Sequence, residues 1–238
     1  MSNTLYIYHH LGLGDHFDCN GMVRYILKAF NFDNIGVFCK SNYFSMVDFM
    51  YRDNDNIDVI EVDKDNEIRD VYNFISKNNC ASNLLKVGHE HYHCLSEEEK
   101  KSKNCWEIFY EQVNIPYEVR YDYFYVERDR LEEQRVMKKL NPHGKDFVFT
   151  HDDPSRGFIL DKSHILDKSL HIVENDVSEN IFYLLSVVEQ AKEIHCMESS
   201  FKTLVDIYGV QENMFFHNFR NHPLGGRSNP NWKTITYD

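Results

Sequence analysis

Short apolar segments alternate with segments of helical periodicity along most of this chain, and this alternation constrains the fold more than any other feature. In the first half, residues 5–8, 35–39, 57–62 and 84–87 are apolar runs typical of buried strands. Between them, apolar residues recur at the spacing i, i+3, i+4 and i+7, which places them on one face of a helix. Strands that alternate with helices predict a parallel sheet covered by helices on both faces.

The same alternation restarts near residue 147, with predicted strands at 147–150, 171–173, 193–196 and 214–216 and an edge strand at 232–237. Before it, Ser96 and Glu99 form a capping-box pattern that predicts a helix through about Val113. Residues 119–126 predict a strand, and a charged helix follows up to Leu140. The turn cluster Asn141-Pro142-His143-Gly144 then predicts a domain boundary, with one α/β domain at 1–140 and another at 141–238.

Composition narrows the possible partners and the compartment. The 238 residues contain 26 Lys and Arg against 38 Asp and Glu, a net charge of −12, which argues against nucleic acid or an anionic membrane as a partner. No apolar run approaches the ~20 residues of a membrane span, and the N-terminus lacks the pattern of a signal peptide. The six cysteines form no CxxC pair, which indicates free thiols in a reducing compartment. We therefore expect a cytoplasmic protein, and the sequence leaves its oligomeric state open.

The loop after the first predicted strand, His9-His10-Leu11-Gly12-Leu13-Gly14-Asp15-His16, is the first candidate site. Ligands of parallel sheets bind at the carboxyl ends of the strands, and glycines let backbone approach a ligand closely. Gly12 and Gly14 match the start of a Gly-x-Gly-x-x-Gly fingerprint, but Phe17 occupies the third position and disfavours a nicotinamide cofactor. The alternative is a tight turn in which Asp15 caps the following helix.

Two polar loops follow predicted strands in the second half. In the first, Arg156 could hold a diphosphate with its planar guanidinium, and His151 could donate to a phosphate or a sugar hydroxyl. In the second, Ser199 and Ser200 open a helix whose free N–H groups suit a phosphate, and Glu198 could accept from ribose hydroxyls. The alternatives are an Asp-Pro turn with a surface arginine and an ordinary serine cap.

The segment Gly88-His89-Glu90-His91-Tyr92-His93-Cys94 is the one metal-like pattern. On a strand, His89, His91 and His93 would share a face and could ligate zinc, with Asp152 or Asp153 as further candidates. This would make the protein a metal-dependent hydrolase. The alternative is a loop whose histidines hydrogen-bond locally or contact substrate.

Two of these motifs resemble those of glycosyltransferases. The segment Leu11-Gly12-Leu13-Gly14-Asp15 resembles the Gly-Asp turn of heptosyltransferase-like enzymes. Residues 195–204, with Glu198-Ser199-Ser200-Phe201, resemble the acidic-Ser-Ser-Phe helix start of fucosyltransferase-like and related families. The chain thus resembles the GT-B architecture, in which two Rossmann-like halves with parallel sheets face each other across a cleft.

This resemblance implies an inverting, metal-independent glycosyltransferase that takes a sugar from a nucleoside-diphosphate sugar and needs no other cofactor. The 1–140 domain would bind the glycan acceptor, and the 141–238 domain would bind the donor. Asp15 would be the base, His9, His10, His16 and His89 would lie on the acceptor side, and the donor would contact Gly12, Gly14, His151, Arg156, Glu198, Ser199, Ser200 and Phe201. The alternatives are the metal-dependent hydrolase and a non-catalytic carbohydrate- or nucleotide-binding module. The donor base, donor sugar and acceptor stay open.

Overall fold

The computed structural model describes residues 3–209, 212–220 and 229–237. The chain divides into two compact units, Met1–Glu127 and Arg128–Asp238. Each unit contains one sheet in which every strand pairing is parallel. The predicted α/β fold with two parallel sheets is therefore confirmed.

The first unit has a four-stranded sheet in the order β3-β2-β1-β4. Its strands are β1 (Thr4–Tyr8), β2 (Asn34–Lys40), β3 (Ile57–Val62) and β4 (Leu84–Lys86). Its helices are α1 (Leu13–Ala29), α2 (Phe44–Tyr51), α3 (Glu67–Lys77), α4 (His89–Cys94), α5 (Glu97–Ser102), α6 (Cys105–Gln112) and α7 (Val119–Asp122).

β1 is an interior strand of this sheet, and its side chains alternate between two covered faces. Ile7 pairs in register with Val37 of β2 and Leu85 of β4. Tyr8 packs in one buried cluster with Val71 and Ile75 of α3. Because β1 lies inside the sheet, the loop from its end to α1 begins in the middle of the sheet's carboxyl edge, where ligands of parallel sheets bind.

The second unit has a five-stranded sheet in the order β6-β5-β7-β8-β9. Its strands are β5 (Phe147–His151), β6 (His171–Glu174), β7 (Glu193–Met197), β8 (Met214–Asn218) and β9 (Trp232–Thr236). Its helices are α8 (Arg130–Leu140), α9 (Leu185–Gln190) and α10 (Ser200–Tyr208). The predicted strands of this half, including the edge strand at 232–237, are all present.

The division between the units precedes α8, whereas the sequence predicted it after Leu140. α8 packs against α9 and the residues before it, and its Glu133 is fully buried. Glu133 accepts hydrogen bonds from Arg128 and from the hydroxyl of Ser186. These buried charge-assisted bonds attach α8 to the second unit. The predicted boundary relied on turn residues such as Pro142, which do not indicate which unit the preceding helix packs against.

Two local predictions are wrong. Of the predicted strand at residues 119–126, residues 119–122 form the helical turn α7 and residues 124–126 have no regular secondary structure. Arg120 of α7 is buried against α1, where its Nη2 lies 2.7 Å from Oδ1 of Asp18. A side chain at Gly21 of α1 would place its Cβ 2.3 Å from the carbonyl oxygen of Val119, so the glycine permits this close packing. The single helix predicted to run to about Val113 is two helices, since Asn104 and Glu107 form a second capping box.

Two expectations from composition have counterparts in the structure. All six cysteines are free thiols. Within the described ranges, no helix combines the length and the apolar character that crossing a membrane requires.

Candidate active site

The loop between β1 and α1 places Asp15 in the first turn of α1. Gly12 is the N-cap, and the carboxylate Oδ2 of Asp15 accepts a hydrogen bond from its N–H at 3.2 Å. A Cβ at Gly12 would lie 2.6 Å from that oxygen, so only glycine lets the carboxylate fold back over the cap. Gly14 also lies in this first turn. Asp15 therefore supports the cap from inside the helix and is not itself the capping residue.

The electrostatic surroundings of Asp15 suit proton uptake near neutral pH. Burial raises the pKa of its carboxyl to about 7, and the nearby charge of Asp18 adds to this effect. Asp18 is itself compensated, because the guanidinium of Arg120 binds it in a buried ion pair. A general base works best when its pKa lies near the working pH.

His9 and His16 form a fully buried pair beside this turn, with ring centroids 4.4 Å apart. His9 donates from Nδ1 to the carbonyl of His10 at 2.5 Å. Within the described part of the chain, Nε2 of His9 and both ring nitrogens of His16 lack hydrogen-bond partners. Burial lowers the pKa of His9 to about 4 and that of His16 well below its ordinary value, so both imidazoles are neutral.

His10 and His89 are brought together by the loop after β4. The backbone N–H of His89 donates to Nε2 of His10 at 2.8 Å, which fixes the His10 proton on Nδ1. Gly88 has a φ of 82°, and a Cβ there would lie 2.7 Å from the ring of Phe109. The four predicted acceptor-side histidines therefore lie at the carboxyl ends of the adjacent strands β1 and β4.

The zinc hypothesis required these histidines to lie on a strand, but residues 89–94 form helix α4, and His91 and His93 are exposed. Alternate residues of a helix do not share a face, so the three imidazoles cannot converge as they would on a strand. In the part of the chain that the structure describes, no three His, Cys, Asp or Glu residues are placed to hold a metal ion. The hydrolase alternative loses the geometry on which it depended.

In the second unit, His151 lies at the carboxyl end of β5. Its Nδ1 lies 2.6 Å from the side-chain amide nitrogen of Asn175, and its ring lies 5.0 Å from that of Phe201. Burial lowers the pKa of His151 to about 4, so the ring is neutral. With Nδ1 accepting from the amide, Nε2 carries the proton and is available to donate to a ligand.

The start of α10 carries the two predicted serines. Ser199 is the N-cap, and its hydroxyl accepts from the N–H of Lys202 at 3.2 Å, as an ordinary serine cap does. Ser200 follows as the first residue of the helix and is half-buried. The remaining N–H groups of this first turn have no helical partner and favour an anion.

Two arginines contact one aromatic ring at the same edge of this sheet. The guanidinium carbons of Arg156 and Arg220 each lie 5.4 Å from the centroid of Phe158. Arg156 also donates to Asp153 at 2.5 Å. Nη1 of Arg220 lies 3.9 Å from Oε2 of Glu198, which joins it to the start of α10.

Sequence reasoning missed Asn175 and Arg220. Neither belongs to a motif, since each follows the end of a short strand as an isolated residue. The signal that was available is topological: β6 and β8 flank β5 and β7, and the residues after parallel neighbours meet at one edge.

No family model matches the chain, and no curated protein matches it in sequence. Solved structures do match. A glycosyl transferase of family 9 from Veillonella parvula has a TM-score of 0.61 and 11% identity, with 99% of this chain and 86% of that chain covered. The E. coli ADP-heptose lps heptosyltransferase II gives 0.56 and 8%, with 98% and 90% covered. E. coli heptosyltransferase WaaC with ADP gives 0.53 and 9%, with 99% and 93% covered.

The matches extend over nearly the whole of this chain and most of each solved structure, so they concern both units and not one shared motif. At 8–11% identity these matches establish the fold, and the chemistry has to be argued from the residues of the site. The chain has the fold of the heptosyltransferase-like glycosyltransferases of the GT-B type.

Proposed function

We propose that this protein is a glycosyltransferase that moves a sugar from a nucleoside-diphosphate sugar to a hydroxyl group of a glycan acceptor. The observation that carries the proposal is Asp15, a half-buried carboxyl whose pKa is raised to about 7 at the carboxyl edge of β1. In a fold that the solved glycosyltransferases share, such a group is suited to take the proton of an attacking hydroxyl.

The second unit is proposed to bind the donor. A nucleoside diphosphate needs positive charge and hydrogen-bond donors, and the sheet edge offers Arg156, Arg220, His151 and the start of α10. A planar guanidinium suits phosphate oxygens in particular. Since these groups supply positive charge to the leaving diphosphate, we propose that the reaction needs no metal ion.

The proposed reaction is a direct displacement at the anomeric carbon. Asp15 accepts the proton of the acceptor hydroxyl while that oxygen forms a bond to the anomeric carbon, and the bond from this carbon to the diphosphate oxygen breaks. The electron pair of the broken bond stays on the nucleoside diphosphate, where Arg156 and Arg220 stabilise it. Attack opposite to the leaving group inverts the anomeric configuration.

The first test is ligand-dependent thermal stability of the full chain. A ligand that binds only the folded protein raises its melting temperature, by an amount that grows with the ratio of concentration to Kd. ADP, GDP, UDP, CDP and their sugar conjugates form the panel. We expect one base to raise the melting temperature in wild type and much less in Arg220→Ala, and a panel without effect would contradict the donor site.

Turnover is then measured as release of the nucleoside diphosphate from the sugar nucleotide that binds. Wild type should release it faster with a glycan acceptor mixture than with buffer alone, and Asp15→Asn should not. Binding without any release by wild type would contradict the proposed transfer and favour the non-catalytic binding module.

A further inference from the structure

A groove of about 560 Å³ lies in the first unit, away from the turn that carries Asp15. It is formed by the second half of α1, the turn before β3 and the segment after α7, and its lining residues are Arg24, Leu27, Lys28, Asn54, Asp122, Tyr123, Phe124 and Tyr125. Arg24 follows Asp15 by nine residues on α1, which is about 14 Å along the axis and half a turn around it. The groove is therefore separate from the candidate active site.

The side chain of Arg24 is held as a rigid, charge-compensated plane in this groove. Its two terminal nitrogens donate to the carboxylate of Asp53 at 2.8 and 2.7 Å, and one also donates to the carbonyl of Met50 at 3.0 Å. The guanidinium carbon lies 5.4 Å from the ring of Tyr51 and 5.2 Å from that of Tyr125. Because only 10% of this side chain is exposed, it supports the ring of Tyr125 and adds little net charge to the groove.

The aromatic segment beside Arg24 is anchored by its backbone while the ring of Tyr125 stays accessible. The N–H of Tyr125 donates to the side chain of Asn20 at 3.0 Å, and Arg52 donates to the carbonyl of Glu127 at 3.0 Å. Tyr125 is nevertheless 50% exposed. Rings that are fixed in place and open to solvent present apolar area to a ligand at little cost in conformational entropy.

The polar groups of the groove balance in charge. Lys28 supplies one positive charge, and its Nζ lies 5.2 Å from the ring centroid of Tyr123. Asp122 supplies one negative charge. Asn54 accepts the N–H of Asn56 through its carbonyl oxygen, which leaves its amide nitrogen as a donor. A polyanion would meet Asp122 and a polycation Lys28, whereas a neutral ligand rich in hydroxyls can use both.

We propose that this groove binds an oligosaccharide, as a glycan-holding site distinct from the one that carries Asp15. The C–H face of a pyranose ring packs on an exposed aromatic ring, and its hydroxyls pair with carboxylate, amide and ammonium groups. Tyr125 supplies the exposed ring, and Asp122, Asn54 and Lys28, whose ammonium group lies over the ring of Tyr123, supply the hydrogen bonds. The site does not depend on transfer activity, because none of these residues belongs to the proposed catalytic machinery.

The test measures binding of end-labelled maltohexaose, cellohexaose, mannohexaose and chitohexaose to the full chain by fluorescence polarisation. We expect at least one to bind, with a loss of about tenfold in Tyr125→Ala from the stacked ring and a similar loss in Asp122→Ala. Tyr72→Ala is the matched control, since Tyr72 is 45% exposed on α3 and lies outside the groove. Unchanged melting temperatures confirm that the variants fold.

The proposal is overturned if no hexasaccharide binds, or if Tyr125→Ala and Asp122→Ala bind as wild type does. Asp15→Asn should keep hexasaccharide binding, and Tyr125→Ala should keep the thermal shift given by the nucleoside diphosphate. Failure of the groove and failure of the transferase proposal therefore give different results.

Discussion

The two units use the same parallel arrangement but carry opposite chemistry at the carboxyl edges of their sheets. The first unit places neutral imidazoles and the half-buried carboxyl of Asp15 there. The second unit places two guanidinium groups and the start of a nine-residue helix there. A carboxyl whose burial raises its pKa is suited to accept a proton, and guanidinium groups beside the start of a helix are suited to hold an anion. Because the two units share an architecture, the difference in their chemistry comes from the few residues that follow their strands.

The largest expected effect is the loss of turnover when Asp15, the proposed proton acceptor of the first unit, is replaced. Asp15→Asn keeps the size of the side chain and the hydrogen bond from Gly12 but cannot take up a proton. We expect turnover to fall by about 10²–10⁴-fold, the usual contribution of a general base, with donor affinity nearly unchanged. Steady-state kinetics and the donor thermal shift measure the two quantities.

Asp48→Asn is the control for this variant, because Asp48 is exposed on α2 of the same unit. It should behave as wild type. Near-wild-type turnover in Asp15→Asn would remove the base assignment and make His9, His10 and His16 the next candidates.

The next largest effect concerns the anion-binding edge. Arg220→Ala removes a charged donor near the start of α10, and hydrogen bonds to charged groups contribute roughly 1.5–3 kcal/mol. We expect the nucleoside diphosphate to bind about 10- to 150-fold more weakly, with a similar loss in Arg156→Ala. Titration calorimetry checks this. Arg130→Ala is the control, since Arg130 is an exposed arginine on α8 of the same unit, and equal losses in it and Arg220→Ala would contradict a specific site.

Replacing a buried histidine is expected to affect stability differently in the two units. In the second unit, His217 lies between His195 at 2.9 Å and the hydroxyl of Tyr237 at 2.5 Å. His217→Leu removes the partner of Nδ1 of His195 and one of two partners of the Tyr237 hydroxyl, which also accepts from the N–H of Asp161. We expect it to reduce the free energy of unfolding by about 1–3 kcal/mol. His16→Leu removes two nitrogens that have no described partner, so it should be neutral or stabilising. Urea unfolding of both variants measures the difference, and a larger loss in His16→Leu would show that those nitrogens are satisfied by bound water.

A pH dependence of stability is also expected at Asp15. The folded pKa of about 7 lies above the ordinary value of 3.8, so the folded state binds more protons between these pH values. Wild type therefore loses stability from this group as the pH rises from about 4 to about 7. Asp15→Asn lacks this loss, and its melting temperature relative to wild type should be higher at pH 8 than at pH 5. A difference that does not change with pH would contradict the raised pKa.

Part of the candidate site was predictable because it follows strands that the apolar pattern reveals. The end of the buried run at residues 5–8 placed the Gly-Asp loop at a sheet edge, and the runs at 147–150 and 193–196 did the same for His151 and Ser199. The pattern at 89–93 was misleading, because three alternating histidines fit one face of a strand while the structure forms helix α4 there. His91 and His93 are exposed in this helix, and a local sequence pattern does not indicate which residues are exposed.

The sequence by itself determined the α/β class, the positions of the strands of the two sheets, and the position of Asp15 after the first of them, because these depend on periodicity and turn chemistry within a few residues. Only the tertiary structure decided that α8 belongs to the second unit, that Arg120 is buried against Asp18, and that Arg220 lies beside Glu198. The physical reason is that burial and ion pairing act between residues far apart in the chain. A charged residue in a sequence looks the same whether its partner is water or a carboxylate one hundred residues away.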